Sequence, residues 1–228
     1  MSLATHSGNV RVLTPPVNPK PTTRRERALA TRNRVLRGAH ELFCERGYAG
    51  TRMTDVATEA GVAVQTVYFI FHTKAELLQA CYERGVLGED DPLPPLQQPW
   101  YAAMLAATTG AEGVRRFAEG NGSILARVAV LDDVVRSATH EPDAAAVRTR
   151  TEQLRRVGYE EIVEHLDRRF RLRDGLDVDA ATDLLLTLAG PAVYRTLVVD
   201  YGWPHDTYID WLSRTLAEAL LTAPSSTG

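Results

Sequence analysis

The stretch Thr51–Leu78, TRMTDVATEAGVAVQTVYFIFHTKAELL, has the pattern of two short helices joined by a glycine turn. Apolar residues recur in the first helix at spacings of three and four, which predicts a buried face made of Met53, Val56, Ala57 and Ala60. Gly61 can adopt the left-handed backbone that ends a helix, and Val62 then follows as an apolar plug. This order of elements is typical of a helix-turn-helix and predicts that the second helix enters a DNA groove.

The second helix of the motif, over roughly Val64 to Phe71, is expected to have two different faces. Val67 and Phe71 are predicted to be buried, whereas the outward residues are Gln65, Thr66, Tyr68 and Phe69. Glutamine makes bidentate hydrogen bonds to adenine, and threonine or aromatic carbons contact the thymine methyl group in the major groove. The outward face is therefore predicted to contact base edges.

A third helix opens at Thr73-Lys74-Ala75-Glu76, which has the spacing of a capping box. In such a box, the side chains of Thr73 and Glu76 satisfy backbone N–H groups at the start of the helix. Lys74 adds a positive charge to the first turn, so this helix end is predicted to bind a DNA phosphate. Phosphate contacts position a protein on DNA without specifying sequence.

The expected DNA contacts each have a structural alternative. In those alternatives Tyr68 packs against Lys74 or the first helix, Val64 and Phe69 shield the small core, and His72 is a solvated loop residue. Thr51 and Arg52 precede the first helix of the motif, where capping and phosphate binding compete and can coexist. The whole set of expected DNA-binding residues is Thr51, Arg52, Val64, Gln65, Thr66, Tyr68, Phe69, His72 and Lys74.

Several spaced elements between Arg32 and Leu87 together resemble the TetR family of transcriptional regulators. They are RVLRGAHELFCERGYAGT in the preceding helix, Val56-Ala57-x-x-Ala60-Gly61-Val62, Thr66-Val67-Tyr68, Phe71 and Thr73-Lys74-x-x-Leu77-Leu78. The resemblance implies an all-α homodimer, with an N-terminal three-helix helix-turn-helix DNA-binding domain and a larger helical ligand-binding and dimerisation domain. It also implies that Thr66 and Tyr68 touch DNA and that Lys74 contacts phosphate.

The chain departs from the family pattern in its recognition helix. Ala63 stands where a Ser or Thr frequently caps this helix, Val64 stands where a basic residue is common, and Phe69 and Ile70 are more apolar than usual. Affinity is therefore expected to depend more on phosphate contacts and on the N-terminal arm.

A chain of 228 residues can form one compact unit or a small domain joined to a larger one, and composition and charge favour the second arrangement. The Gly88–Pro95 stretch, GEDDPLPP, breaks helical periodicity and marks the boundary. Residues 1–88 have a charge balance of +5 and the remainder a balance of −8, which together give the net −3 of the chain. A basic N-terminal part on an acidic body is expected for a DNA-binding regulator. The predicted domains are residues 1–23 as a disordered basic arm, 24–88 as the DNA-binding domain with its linking helix, and 96–228 as the C-terminal domain.

Four prolines within the first 23 residues and little apolar periodicity predict that disordered arm. Its positive charges are Arg11, Lys20, Arg24, Arg25 and Arg27. The arm is expected either to follow the DNA backbone or a minor groove, or to be a solvated tail.

A cytoplasmic protein that does not span a membrane is expected from three features. The first residues lack the continuous apolar segment of a secretory signal. The most apolar run, around Leu184 to Tyr194, is short for a membrane span and is interrupted by Gly190-Pro191. Two distant cysteines, Cys44 and Cys81, are typical of a reducing compartment.

Beyond the boundary, helical periodicity predicts five helices, over Trp100–Thr109, Gly113–Ala138, Asp143–Phe170, Val178–Tyr201 and His205–Leu221. The last two are amphipathic, with apolar sets Ala181, Leu184, Leu185, Leu188 and Ala192, and Ile209, Leu212, Leu216, Ala219 and Leu220. These sets are either ordinary core or, as the family resemblance implies, the four-helix interface of a two-fold dimer. A dimer places two recognition helices about one DNA turn, or a multiple of it, apart, so the double-stranded operator is expected to be palindromic.

The middle helices are expected either to enclose a cavity for an unknown small-molecule inducer or to be simple packing. The candidate ligand-binding residues are Trp100, Tyr101, Met104, Phe117, Ile124, Arg127, Val128, Leu131, Tyr159, Ile162, His165 and Tyr194. Pro191 within a predicted helix is expected to bend it. A ligand would release DNA only by preferring a conformation with wrongly spaced recognition helices.

An enzyme is not expected, because no nucleophile elbow, phosphate loop or paired-carboxylate signature stands out. No cofactor or metal is expected either, because His40 and Cys44 lie four residues apart without a third ligand at suitable spacing. The sequence therefore predicts a DNA-binding regulator, and the family resemblance implies a repressor that an inducer releases from its operator. The alternative is a DNA-binding regulator that is controlled by a protein partner and has a filled C-terminal core.

Overall fold

The computed structural model describes residues 23–88 and 92–222, and this part of the chain is all α-helical apart from turns and one isolated bridge between Leu172 and Leu221. The N-terminal helices are α1 (Arg24–Gly50), α2 (Met53–Ala60), α3 (Val64–Ile70) and α4 (Lys74–Leu87). A 3₁₀ turn at Pro95–Gln97 leads to α5 (Pro99–Leu105), α6 (Gly110–Ser137), α7 (Pro142–Phe170), α8 (Val178–Leu188), α9 (Pro191–Tyr194) and α10 (His205–Leu220). The predicted all-α class is confirmed. The predicted arm through residue 22 and the acidic residues 89–91 lie outside the described residues, and the domain boundary stays a prediction.

Helix α1 begins with a capping box that the sequence analysis did not predict. The Thr23 hydroxyl accepts a hydrogen bond from the Glu26 N–H at 3.2 Å, and the Glu26 carboxylate accepts one from the Thr23 N–H at 2.9 Å. This reciprocal cap satisfies two backbone donors and starts a regular helix. Three of the arginines expected to give the arm its charge therefore lie within α1 instead, namely Arg24, Arg25 and Arg27.

The N-terminal helices enclose the small core that the apolar spacing predicts. Helix α1 contributes Val35, Leu36, Ala39, Leu42 and Phe43, each at most 5% exposed. Helix α2 adds Met53, Val56, Ala57 and Ala60, all of which are buried as expected. Val67, Phe71, Leu77 and Leu78 close this core from α3 and α4.

The C-terminal part is organised around α6, which packs against α4, α5, α7, α9 and α10. Its core is rich in aromatic rings, with Phe117 on α6 edge-on to Tyr159 on α7 at a centroid distance of 5.5 Å. Trp100 lies over Gly120, where a Cβ atom would be only 2.1 Å from the indole ring. Glycine at this position therefore permits the close approach of α5 to α6.

The helix predicted over Val178–Tyr201 is broken rather than bent. Helix α8 ends at Leu188, Gly190 is extended (φ −83°, ψ 159°), and α9 restarts with Pro191 in its first turn. Because Pro191 has no N–H group, the Thr187 carbonyl four residues earlier loses its helical partner. At the break itself, the Ala189 carbonyl accepts hydrogen bonds from the Asn121 side-chain amide at 3.0 Å and the Tyr159 hydroxyl at 2.9 Å. Helix α9 then continues as a π-helical turn over Arg195–Asp200.

The same region, Val178–Asp200, is the one described segment that is long and apolar enough to cross a membrane by length and composition alone. The break at Gly190 divides it into two pieces of about half the length that a bilayer requires. Ala181, Leu185 and Tyr194 of this segment are buried in the C-terminal core. A core helix of a soluble protein can have the same length and apolar composition, so this segment is weak evidence for a membrane span.

The apolar face of α10 belongs to the core of its own protomer. Ile209, Leu212, Leu216 and Leu220 are at most 5% exposed, and α10 packs along α6. On α8, Ala181 and Leu185 are likewise buried, whereas Leu184 is 37% exposed. Most of the two apolar sets expected at a dimer interface are therefore intramolecular core, which was the alternative interpretation. The exposed or half-buried members of these sets are the ones accessible to a second copy of the chain. They are Leu184, Leu188, Ala192 and Ala219.

Candidate DNA-recognition surface

The turn between α2 and α3 has the geometry that the glycine predicted. Gly61 adopts the left-handed conformation (φ 63°, ψ 43°), and its N–H donates to the Thr58 carbonyl at 3.1 Å. The Val62 N–H donates to the Ala57 carbonyl at 3.0 Å, so both of these carbonyls at the end of α2 are satisfied. Helix α3 starts at Val64 behind Ala63, which provides no side-chain cap. Backbone hydrogen bonds thus close the end of α2, and Val62 of the turn packs against the core.

Helix α3 separates its residues into the two faces expected from the sequence. Val67 and Phe71 are buried in the N-terminal core, at 0% and 3% exposure. Gln65 is exposed on the opposite face, and Thr66 is half-buried. Tyr68 is 49% exposed and Phe69 is 84% exposed, so α3 presents two aromatic rings outward. These positions agree with the predicted outward face, while DNA contact by these residues stays a prediction.

The exposure of the side chains on α3 also tests the structural roles that were the alternatives to DNA contact. Phe69 at 84% exposure does not shield the core, whereas Val64 is half-buried and packs against it. The Lys74 ammonium lies over the ring of Tyr48, 4.0 Å from its centroid, and not over Tyr68. The alternative role therefore describes Val64 but not Phe69, and the partner expected for Tyr68 is occupied by another aromatic ring.

Lys74 is held in place by α1 as well as by its own helix. Its ammonium donates a hydrogen bond to the Tyr48 carbonyl at 2.8 Å, and Tyr48 is itself stacked on Phe43. An ammonium has three donors, so this bond leaves capacity for a phosphate oxygen. Tyr48 was not predicted from the sequence as part of the site, because no local pattern pairs it with a residue 26 positions away.

The start of α4 has only half of the predicted capping box. The Thr73 hydroxyl accepts from the Glu76 N–H at 3.1 Å, as expected. The Glu76 carboxylate instead accepts from the His72 N–H at 3.0 Å and lies 3.1 Å from His72 Nδ1. His72 is therefore an exposed loop residue whose backbone N–H and ring Nδ1 both lie within hydrogen-bond distance of the Glu76 carboxylate.

Thr51 and Arg52 have different environments. The sequence offered both residues the same two roles, capping of a helix and binding of a phosphate. Thr51 is 1% exposed, and its hydroxyl lies 2.8 Å from the Gly47 carbonyl and 3.1 Å from the Leu42 carbonyl. Its side chain ties the end of α1 to the start of α2, which supports the structural role, and a DNA contact by Thr51 stays a prediction. Arg52 is the N-cap residue of α2 without a side-chain cap bond, and it is exposed.

The residues expected to bind a ligand lie mostly in the closed core of the C-terminal helices. Those that are at most 8% exposed are Tyr101, Met104, Phe117, Ile124, Val128, Leu131, Tyr159, Ile162 and Tyr194. Trp100 and His165 are half-buried, and Arg127 donates from Nε to the Gly85 carbonyl of α4 at 2.7 Å. The structure thus brings the aromatic members together but as packed side chains.

This aromatic core contains a buried polar atom that lacks a hydrogen-bond partner. The Tyr208 hydroxyl is buried and has no hydrogen-bond partner among the described residues. It belongs to a ring cluster in which Tyr194 lies 4.8 Å from Tyr208, and the Tyr194 hydroxyl shares a hydrogen bond of 2.9 Å with His205 Nδ1. Tyr208 was missed in the sequence because its spacing of four from Leu212 indicates only packing.

Two clefts lie between the described N-terminal and C-terminal helices. One of about 280 Å³ lies between α1, α4 and α6 and includes Arg127, the one expected ligand residue that lines it. The other, of about 610 Å³, is an open groove between α4 and α7. His40 and Cys44 lie near the first cleft at 3.7 Å from each other, and no cluster of three metal-binding side chains occurs in residues 23–88 and 92–222.

An all-helical chain with an N-terminal helix-turn-helix and a larger helical body defines a class of DNA-associated regulators. Residues 35–81 match the family described as "Bacterial regulatory proteins, tetR family". The N-terminal part of the chain is thus similar to the DNA-binding domain of this family of transcriptional regulators.

Curated relatives match the N-terminal part of the chain. Over 67 residues it is 40% identical to the HTH-type transcriptional regulator CymR of Pseudomonas putida, a match that covers 29% of this chain and 33% of the relative. Over 56 residues it is 41% identical to the HTH-type transcriptional regulator TtgR, also of Pseudomonas putida, covering 25% of this chain and 27% of that protein. The chain thus aligns with about a third or less of the length of these relatives.

Solved structures extend the likeness to the whole fold. FadR from Bacillus subtilis, in complex with stearoyl-CoA, has a TM-score of 0.66 at 16% identity, covering 81% of this chain and 96% of that one. NalD, the secondary repressor of the MexAB-OprM multidrug efflux pump in Pseudomonas aeruginosa, has a TM-score of 0.65 at 20% identity, covering 86% and 100%. At these identities the likeness shows the fold alone.

Proposed function

We propose that this protein is a dimeric, sequence-specific DNA-binding repressor that recognises a palindromic operator. The observation that carries the proposal is the outward face of α3, where Gln65, Tyr68 and Phe69 project from a helix whose other face is buried. A seven-residue helix that leaves a phenylalanine 84% exposed gains little stability from that ring. Contact with DNA gives the exposed ring a function.

The two ends of this surface are proposed to contact different parts of DNA. Gln65 offers both an amide donor and an acceptor, which suits the edge of adenine, while the rings of Tyr68 and Phe69 suit thymine methyl groups. Lys74 at the start of α4 and Arg52 before α2 carry the positive charge that phosphates require. Val64 and Thr66 are half-buried and contact DNA only along their exposed edges.

Dimerisation is proposed to use the outward surface of α8, α9 and α10. Leu184 and Val199 are 37% and 49% exposed, and Leu188 and Trp211 are half-buried. Burial of this surface in a second copy would remove apolar area from water, which is the main source of association energy. The two-fold symmetry of such a dimer requires a palindromic operator.

Control by a small-molecule inducer is proposed, with control by a protein partner as the second candidate. The unpartnered Tyr208 hydroxyl within an aromatic core supports the inducer, because a buried hydroxyl without a partner is unfavourable by about 1–3 kcal/mol. The close packing of Met104, Phe117 and Leu131 supports control by a protein partner, because such control requires no cavity in the core. Non-enzymatic action in the cytoplasm is part of both proposals.

Selection of bound sequences from a random duplex library tests the DNA-binding proposal. The full-length protein is expected to enrich a palindrome whose half-sites are about one helical turn, or a multiple of it, apart. No enrichment at low salt would contradict sequence-specific binding. Release of the selected duplex by members of a small-molecule library would then favour the inducer over a protein partner.

A further inference from the structure

A buried polar contact connects the linking helix α4 to the C-terminal helices. The Tyr82 hydroxyl of α4 donates a hydrogen bond to Asp132 Oδ1 of α6 at 3.0 Å. Arg155 of α7 approaches the same oxygen atom, with its Nη1 at 3.7 Å. The side chains of Asp132 and Arg155 are only 16% and 22% exposed, and Tyr82 is 6% exposed. Three helices thus meet at one shielded carboxylate.

This contact differs in kind from the packing on the other side of α4. Towards α1, α4 presents Leu77 and Leu78, which are fully buried among apolar side chains. Apolar packing is non-directional, whereas a hydrogen bond to a carboxylate prefers a narrow range of distance and angle. The orientation of α4 relative to α6 is therefore specified at Tyr82 more than at its apolar face.

The C-terminal end of α4 is held separately. Arg127 of α6 donates to the Gly85 carbonyl at 2.7 Å, and a Cβ atom at Gly85 would lie 2.7 Å from Val128 Cγ1. Because the Gly85 end of α4 is held against α6, we expect loss of the Tyr82 hydrogen bond to change the tilt of α4 while α4 stays attached to α6. Gly85 lies about 16 Å along the helix from Lys74, so a tilt of about 10° about the held end displaces the start of α4 by about 3 Å. Helix α3 ends at Ile70, a few residues before Lys74, and moves with it.

We propose that Tyr82 and Asp132 are positioning residues that set the separation of the two recognition helices in the dimer. The inference rests on the proposed function, because separation has meaning only for a dimer on two half-sites. Neither residue belongs to the surface of α3, so each acts through α4. Burial raises the pKa of Asp132, while Arg155 and the Tyr82 hydroxyl oppose that rise, so the carboxylate is held by the same two groups that orient it.

The test compares Tyr82→Phe with Arg115→Gln in the full-length protein. Arg115 Nη1 donates to Asp210 Oδ1 at 3.0 Å, so the control weakens a hydrogen bond to a carboxylate between α6 and α10, away from α4. Dissociation constants are measured for the selected palindrome, for a duplex with one half-site scrambled, and for palindromes with one or two base pairs inserted at the centre. Sedimentation confirms that each variant is still a dimer.

Tyr82→Phe is expected to weaken binding to the palindrome about tenfold and to leave single half-site affinity within about twofold, because α3 itself is intact. The preference of Tyr82→Phe for one spacing should broaden, while Arg115→Gln keeps the wild-type affinity and spacing preference. Equal losses on full and half-sites, or unchanged spacing preference, would overturn the positioning role. Failure of the wild-type protein to select any DNA would instead overturn the proposed function.

A second variant covers the outcome in which Tyr82→Phe does not fold. Asp132→Asn keeps the shape and an acceptor for Tyr82 but removes the attraction for Arg155. It is expected to broaden the spacing preference less than the loss of the phenol does, and to leave half-site affinity unchanged. A folded Asp132→Asn dimer with the wild-type spacing preference and affinity would refute the proposal in that case.

Discussion

Helix α3 and the C-terminal helices use aromatic side chains in opposite ways. Helix α3 exposes Tyr68 and Phe69, whereas α5 to α10 bury Tyr101, Phe117 and Tyr208. In the C-terminal part the rings stabilise the fold by leaving water and packing edge to face. On α3 they gain little of this kind within the protomer. Aromatic residues therefore stabilise the fold in the C-terminal helices and indicate a contact surface on α3. The exposed fraction of each side chain distinguishes the two roles.

The largest effect on stability is expected from Phe117→Ala. Phe117 is 1% exposed and contacts the rings of Trp100 and Tyr159 edge-on, so truncation leaves a cavity. The free energy of unfolding should fall by about 3–5 kcal/mol, measured by urea denaturation. A loss below about 1 kcal/mol would mean that this core is loosely packed and already able to accept a ligand.

Phe69→Ala should give the reverse result. Because Phe69 is 84% exposed, the free energy of unfolding should change by no more than about 0.5 kcal/mol. Affinity for the selected operator is expected to fall about tenfold while affinity for random DNA stays the same. Parallel losses on both DNAs would remove Phe69 from base recognition.

Thr51→Val sharpens the difference between a buried and a surface residue within the N-terminal helices. The change removes a hydroxyl that contacts the Leu42 and Gly47 carbonyls and should lower the free energy of unfolding by about 1–3 kcal/mol. Thr51→Ser keeps the hydroxyl and serves as the matched control. The salt dependence of DNA binding by the folded Val variant should be that of the wild type, and a flatter dependence would support Thr51 as a phosphate contact.

Lys74→Ala tests the phosphate contact at the start of α4. The slope of log affinity against log salt should decrease in magnitude by about 1 for operator and random DNA alike. Arg214→Ala on the exposed face of α10 is the control and should leave the slope unchanged. A Lys74 variant with an unchanged slope would assign this side chain only to its contacts with Tyr48.

The smallest effect concerns His165 and pH. Burial, followed by the charges of Arg168 and Arg169, lowers the pKa of His165 in the folded protein. The unfolded chain therefore binds the proton at higher pH, so the stability contribution is complete above the ordinary pKa of 6.5 and decreases as pH falls below it. Denaturation of His165→Gln between about pH 7 and about pH 5 should show a weaker pH dependence than the wild type. Identical profiles would contradict this assignment.

Local signals in the sequence were sufficient for most of the fold. The left-handed Gly61, the Thr73 cap and the apolar spacing of α2 all involve residues within about four positions of each other, and each is present as expected. The α8–α9 break was anticipated only as a bend. The size of the break depends on Asn121 and Tyr159, which donate hydrogen bonds to the Ala189 carbonyl from two other helices.

The helical class, the helix-turn-helix and the two faces of α3 could be predicted from the sequence, because periodicity and backbone conformation are local properties. The packing of the helices was needed to show that Thr51 is buried, that the Lys74 ammonium contacts Tyr48 and that the apolar face of α10 belongs to its own core. The same packing brings Tyr82 to Asp132, 50 positions along the chain. Such contacts depend on how helices cross, and an apolar stripe does not specify which neighbour will cover it.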